Sequence, residues 1–258
     1  IGGVDKKSNI LFKFEKIYGV PGFKNLKMSL KNLRPELIIF ANQVDLKDIK
    51  FLLENKSVKF ILFEKPFIKN KYEIKQIFKI LKKKKIFFTI NFQRNFSKSY
   101  INLMKNIKNG IIGNKIKTFC FYNKSFKTNA THFLNLISLY TKRLISSKKI
   151  DNSNNICLNY KNSDVYFFKV NENSYNNNSL IIFGDKGKIE ITSRPEKCII
   201  YKKKKDDTYK KYFLLKKLKT FNFPSDKIQK PVLDNIYEVM RKNKKLLFSE
   251  KHIYHYSK

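Results

Sequence analysis

The chain has 258 residues, 42% of them apolar and 15% aromatic, which is enough to bury a core and excludes wholesale disorder. Its 56 lysines and arginines against 20 aspartates and glutamates give a formal net charge of +36, which raises nucleic acid as a partner. Only Arg34, Arg94, Arg143, Arg194 and Arg241 are arginine, the cation whose planar fork grips phosphates and base edges, so the lysines read as solvated surface and no specific nucleic acid is expected.

Residues 1–90 alternate strand and helix. IGGVD at 1–5 is a short apolar run ending in Asp5. LIIFA at 37–41, VKFILFEKP at 58–66 and KIFFTINF at 85–92 are continuous apolar runs, as strands buried on both faces require. Between them, Asp45 is placed to cap a helix with Ile49, Leu52 and Leu53 inward. Ile74, Ile77, Phe78 and Leu81 fall on one helical face. This order predicts an α/β domain over 1–90 with a parallel, Rossmann-type sheet.

Residues 91–258 read as a second, α+β domain. Tyr100, Leu103, Met104 and Ile107 repeat the helical spacing, which stops at Gly110. A strand at 115–122 and a helix at 131–144 follow. From 155 to 215, short apolar strands divided by turn residues, GDKG at 184–187 among them, predict an open, mostly antiparallel sheet. Pro231 opens a last helix with Val232, Ile236, Val239 and Met240 inward. Cys120, Cys157 and Cys198 have no CxxC or metal spacing and read as reduced thiols of a cytoplasmic protein, with no metal expected. No apolar run reaches the roughly 18 residues of a membrane helix and no signal peptide is visible, so no membrane partner is expected.

Ligands of open parallel sheets bind beyond the carboxyl ends of the strands. Asp5, then Ala41-Asn42-Gln43, then Glu64-Lys65-Pro66 fall there. In a dinucleotide-binding fold an acid at the place of Asp5 accepts the ribose hydroxyls and repels a 2′-phosphate, which points to NAD over NADP. That acid follows a glycine-rich turn by about 20 residues. The missing strand, turn and helix are therefore expected before Ile1; a plain turn role is the alternative for Asp5. Lys65, just past an apolar strand, is expected to be partly desolvated, which favours the neutral amine. An ammonium there, its pKa lowered, can hydrogen-bond a substrate hydroxyl and share its proton during hydride loss. The alternative is one more surface lysine. His132 lies near a predicted helix start, off the face of Phe133, Leu136, Ile137 and Tyr140. The positive end of a helix disfavours the imidazolium and leaves a ring able to act as base. A structural, capping histidine is the alternative.

FEKPF at 63–67 matches the EKP motif of the Gfo/Idh/MocA oxidoreductases, named for glucose-fructose oxidoreductase and inositol dehydrogenase. FEKIYGVPGFKNL (14–26), PELIIFANQ (35–43), INFQRNFSKSY (90–100), NGIIGNKI (109–116), THFLNL (131–136) and IIFGDKGKIEI (181–191) resemble further family segments, in the family's order. The resemblance implies an NAD(P)-dependent oxidoreductase of sugars, sugar nucleotides or cyclitols. It places Lys65 against substrate and nicotinamide, and His132 against the reacting hydroxyl. It implies cofactor contacts at Asp5, Ala41, Asn42, Glu64, Lys65 and Pro66, and substrate contacts at Asn91, Arg94, Thr128 and Asn129. It further implies homo-oligomers built on the open sheet. Many members carry an aspartate four residues before the histidine, where this chain has Thr128. A second reading is therefore a non-catalytic binding protein that senses a dinucleotide or sugar on the same scaffold.

Overall fold

The computed structural model describes residues 1–65, 71–114, 116–151, 154–170, 177–193, 196–223 and 227–248. It divides into two compact units, Ile1–Asn91 with Ile236–Lys258 as unit 1 and Phe92–Asn235 as unit 2.

Unit 1 is built of parallel β-α steps. Strand β1 (Gly3–Val4) pairs in parallel with β2 (Gly22–Phe23), and helix α1 (Ser8–Tyr18) lies between them in sequence. Gly19 ends α1: its φ is 63° and its N–H bonds the Glu15 carbonyl at 2.8 Å, a left-handed close that glycine adopts without strain. Helix α2 (Leu26–Leu33) starts at Asn25, whose side chain accepts the Met28 N–H at 2.9 Å. A second parallel sheet follows, ordered β3 (Leu37–Phe40), β4 (Phe60–Phe63), β5 (Phe87–Ile90), with helices α3 (Leu46–Leu52) and α4 (Lys71–Lys83) as the crossovers. Central β4 is wholly buried, as its unbroken apolar run requires. Ile49 and Leu52 of α3 and Ile77, Phe78 and Leu81 of α4 are fully buried. Asp45 stands at the N-cap of α3 but makes no capping hydrogen bond.

Unit 2 carries one eight-stranded sheet, ordered β13-β12-β11-β10-β6-β9-β8-β7. Its strands are β6 (Ile116–Tyr122), β7 (Leu144–Lys149), β8 (Ile156–Tyr160), β9 (Ser163–Lys169), β10 (Ser179–Gly184), β11 (Gly187–Ser193), β12 (Glu196–Lys205) and β13 (Phe213–Asn222). All neighbours pair antiparallel except β6 and β9, which run parallel. On β6 the residues Ile116, Thr118, Cys120 and Tyr122 are buried and alternate with more exposed ones, so one face is core. Tyr100 of helix α5 (Lys98–Lys108) stacks on Phe223, with ring centroids 4.0 Å apart. Tyr140, just past helix α6 (Thr131–Ile137), hydrogen-bonds Thr118 at 2.7 Å. The hairpin at 184–187 packs tightly. A Cβ on Gly184 would lie 2.1 Å from the Ile112 carbonyl oxygen, so only glycine fits.

Two boundaries differ from the sequence reading. The helix expected over 131–144 ends at Ile137, and Leu144 opens the edge strand β7. The reversal is closed by Asn162, whose side chain accepts the Lys142 N–H at 2.6 Å and donates to the Tyr140 carbonyl at 3.1 Å. At the far end, helix α7 (Lys230–Lys242) buries Val232, Ile236 and Val239. From Ile236 onward the chain clusters with unit 1, although 91–258 reads as one domain in sequence. Arg241 bonds Glu36, and the Phe248 carbonyl accepts the Thr89 hydroxyl at 2.7 Å.

Candidate functional site

Because β3, β4 and β5 are parallel, their carboxyl ends share one edge of unit 1. Exposed Ala41 and Asn42 follow β3, half-buried Glu64 and Lys65 follow β4, and Asn91 follows β5. The ladder runs one residue past the strands: Glu64 N–H donates to the Phe40 carbonyl and Asn91 N–H to the Phe63 carbonyl, each at 2.8 Å. Asn91 is 1% exposed and its amide N–H donates to the Glu64 carboxylate. Glu64 is thus held from the β5 side, and Lys65 leaves the edge from a fixed point. Pro66 lies outside the described residues.

Asp5 follows β1. Its N–H donates to the Phe23 carbonyl at 3.2 Å, and its Oδ1 accepts the Lys7 N–H at 2.8 Å, just before α1. A half-buried carboxylate at a parallel strand's carboxyl end has the acceptor chemistry that ribose hydroxyls need, so this position fits the adenosine side of a dinucleotide.

In unit 2 the histidine segment begins earlier than the sequence reading has it. Ser125 Oγ accepts the Thr128 N–H at 3.2 Å and opens a π-helical turn, Phe126–Ala130. That turn runs straight into α6, with Ala130 itself helical at φ −62°, ψ −33°. His132 therefore sits roughly two turns inside a helical run, whose end field fades within its first turn. The expectation that a helix N-terminus keeps the ring neutral is corrected accordingly. The half-buried imidazole meets Phe92 edge-on, centroids 6.3 Å apart at 89°. Exposed Thr128 donates its hydroxyl to the Ser125 carbonyl at 3.2 Å. Half-buried Asn129 donates its amide to Asn178 Oδ1 at 3.3 Å.

Arg94 lies in a 3-10 turn, Gln93–Phe96, and its Nε donates to Glu196 Oε1 at 2.7 Å. The Tyr100 hydroxyl donates to the same oxygen. The guanidinium carbon lies 5.6 Å from the Phe133 ring centroid and 5.9 Å from that of Tyr100. Burial by itself disfavours the guanidinium charge, but the facing Tyr100 and Glu196 oxygens outweigh it and the net shift is upward. The sequence reading missed Glu196. Its one signal is an acid standing at the head of the apolar run KCIIY.

All three thiols are buried, and burial pushes Cys198 up to about 12 and Cys120 well above its ordinary value. Among the described residues no group of three His, Cys, Asp or Glu could hold a metal, and no helix is long and apolar enough to cross a membrane.

No protein-family model and no curated protein sequence matches the chain. Solved structures do match it in fold. The WlbA dehydrogenase from Chromobacterium violaceum, solved with NADH and UDP-GlcNAcA, is 12% identical with a TM-score of 0.69, over 98% of this chain and 81% of that one. A point mutant of KijD10, a 3-ketoreductase from Actinomadura kijaniata solved with TDP-benzene and NADP, is 12% identical with a TM-score of 0.73, over 98% and 85%. A super-repressor mutant of Gal80p from Saccharomyces cerevisiae is 13% identical with a TM-score of 0.70, over 95% and 77%. The chain has the fold of the Gfo/Idh/MocA-type dehydrogenases, a parallel β-α part followed by a mostly antiparallel open sheet. At these identities the likeness is one of fold.

Proposed function

We propose that this protein is an NAD(P)-dependent oxidoreductase acting on a sugar or sugar nucleotide. The reading rests on the near-full-length likeness to a dehydrogenase solved with NADH and UDP-GlcNAcA, together with Lys65 standing at the carboxyl end of a central parallel strand. When bound, the nicotinamide supplies or accepts the hydride. The Lys65 ammonium donates a hydrogen bond to the substrate oxygen and stabilises the negative charge it develops. His132 takes the hydroxyl proton in oxidation and returns it in reduction. Phe92 holds the plane of its ring. Asp5 accepts the ribose hydroxyls and favours NAD; Ala41, Asn42 and Glu64 border the cofactor. Thr128 and Asn129 offer polar contacts to substrate. With a hydroxyl at Thr128 instead of a carboxylate, His132 exchanges its proton directly or through water. Asn91 serves the site by holding Glu64, and Arg94 braces unit 2 through Glu196.

Half-buried Phe119, Tyr166 and Phe168 and exposed Phe183 form a ring cluster on the sheet's outer face, with Phe119 5.2 Å from Tyr166 and 5.8 Å from Phe183 by centroids. We assign that face to contact with a second copy. Light scattering of the purified protein tests this: a mass near twice the chain's 30.8 kDa or above supports it, and a monomer overturns it.

Nucleotide absorbance with NADH or NADPH and a panel of keto- and hydroxyl-bearing sugar nucleotides tests the activity. Turnover of one of them supports the reading. Cofactor binding without turnover across the panel favours a sensor, for which the likeness to Gal80p and the hydroxyl at Thr128 speak.

A further inference from the structure

Strands β12 and β13 run on past their neighbours. β11 pairs with β12 only as far as Gly187 opposite Lys202, whereas β13 continues to Phe213 opposite Lys205. Every residue from Phe213 to Thr220 is exposed, so both faces of this edge strand are bare among the described residues. Tyr209, Tyr212, Phe213, Leu214, Leu215 and Leu218 are each 46% to 68% exposed. Residues 202–219 also hold nine lysines, with no arginine and only Asp206 and Asp207 as acids. Lysines alone would read as solvated surface, but here exposed leucine, phenylalanine and tyrosine stand beside them. The register sets Leu215 opposite Lys203, and the Lys203 ammonium sits 3.9 Å from the Phe213 ring centroid. Cations and apolar tips are thus interleaved on one ribbon.

We infer that this ribbon docks on an anionic phospholipid surface. Lysine clusters are drawn to acidic headgroups, while leucine, phenylalanine and tyrosine enter the boundary between headgroup and acyl chain. The contact lies on the bilayer and needs no spanning segment, so it departs from the expectation of no membrane partner, which rests on the lack of a spanning run. Nucleic acid fits less well: Tyr209, Tyr212 and Phe213 offer stacking surfaces, but Leu214, Leu215 and Leu218 gain nothing from bases and the forked arginines that grip phosphate are absent from the ribbon. Ribbon-on-ribbon pairing of two copies would set the lysines of one against those of the other.

Co-sedimentation of the full chain with vesicles, at physiological salt, tests this. Vesicles of phosphatidylcholine with phosphatidylglycerol should bind and phosphatidylcholine alone should not. A chain of net charge +36 attracts anionic vesicles by charge alone, so the decisive variant keeps every charge. Phe213→Ser with Leu214→Ser and Leu218→Ser should weaken binding by about tenfold or more, since three apolar side chains no longer leave water. Circular dichroism checks its fold; if the triple variant is unfolded, Leu218→Ser alone, at the bulge between Ile200 and Tyr201, takes its place with a smaller loss. Absence of binding to the anionic vesicles overturns the inference. So does undiminished binding by the folded variant, or loss of self-association or oligonucleotide binding in its stead.

Discussion

Arg94 and Glu196 stand 102 residues apart in sequence and form a shielded ion pair, Nε to Oε1 at 2.7 Å, with side chains only 14% and 4% exposed. Tyr100 shares the same carboxylate oxygen. The pair ties the 3-10 turn at the head of unit 2 to the first residue of β12. Removing one partner strands a charge in the interior, which costs about 3 kcal/mol or more. Arg94→Ala should lower the unfolding free energy of the apoprotein, read from its urea midpoint, by an amount of that order. A substrate-binding arginine would instead raise KM and leave the midpoint where it is.

Asn91 and Glu64 make the corresponding link in unit 1. Asn91→Ala leaves the carboxylate without that donor, a charge-assisted hydrogen bond of about 1.5 kcal/mol or more. The loosened end of β4 carries Lys65, so kcat should fall by about tenfold while cofactor affinity holds. An asparagine that bound substrate directly would show the loss in KM.

Burial raises the Cys198 thiol from 9.0 to about 12 and the Tyr160 hydroxyl from 10.0 to about 12. Unfolded, both ionise at their ordinary values. Above 9.0 the native state therefore holds more protons than the unfolded one, and stability falls as pH climbs. Their contribution is complete below 9.0 and is lost on the way to about 12. Urea midpoints taken stepwise through that range should decline, and Cys198→Ala should make the decline shallower.

His132 is assigned the proton. His132→Gln keeps a polar group of similar reach and removes the titrating ring. It should lower kcat by about a hundredfold or more and flatten the limb of the pH profile that the imidazole sets, without weakening cofactor binding. A capping histidine would show lowered stability and an unchanged profile.

Much of this was legible in the residues. The unbroken FILF of β4 and the spacing of Ile77, Phe78 and Leu81 mark buried strand and helix face, because burial on two sides or on one stripe leaves those periods. β7 was not legible: LISSKK carries no alternation, and the reversal before it depends on Asn162, a residue on the far side of β8. β13 was not legible either, since a strand exposed on both faces has no apolar period to read. The partner of Arg94 depends on topology that brings β12 beside α5, and no local pattern encodes it. The π-turn Phe126–Ala130 adds to the helical run ahead of the start expected at 131.

Lys65→Ala carries the account's main weight. In the purified chain, with NADH affinity followed by fluorescence and hydride transfer by absorbance on a sugar nucleotide the wild type turns over, the account predicts turnover lower by about a hundredfold or more, with cofactor dissociation changed little. Turnover equal to that of the wild type would contradict it.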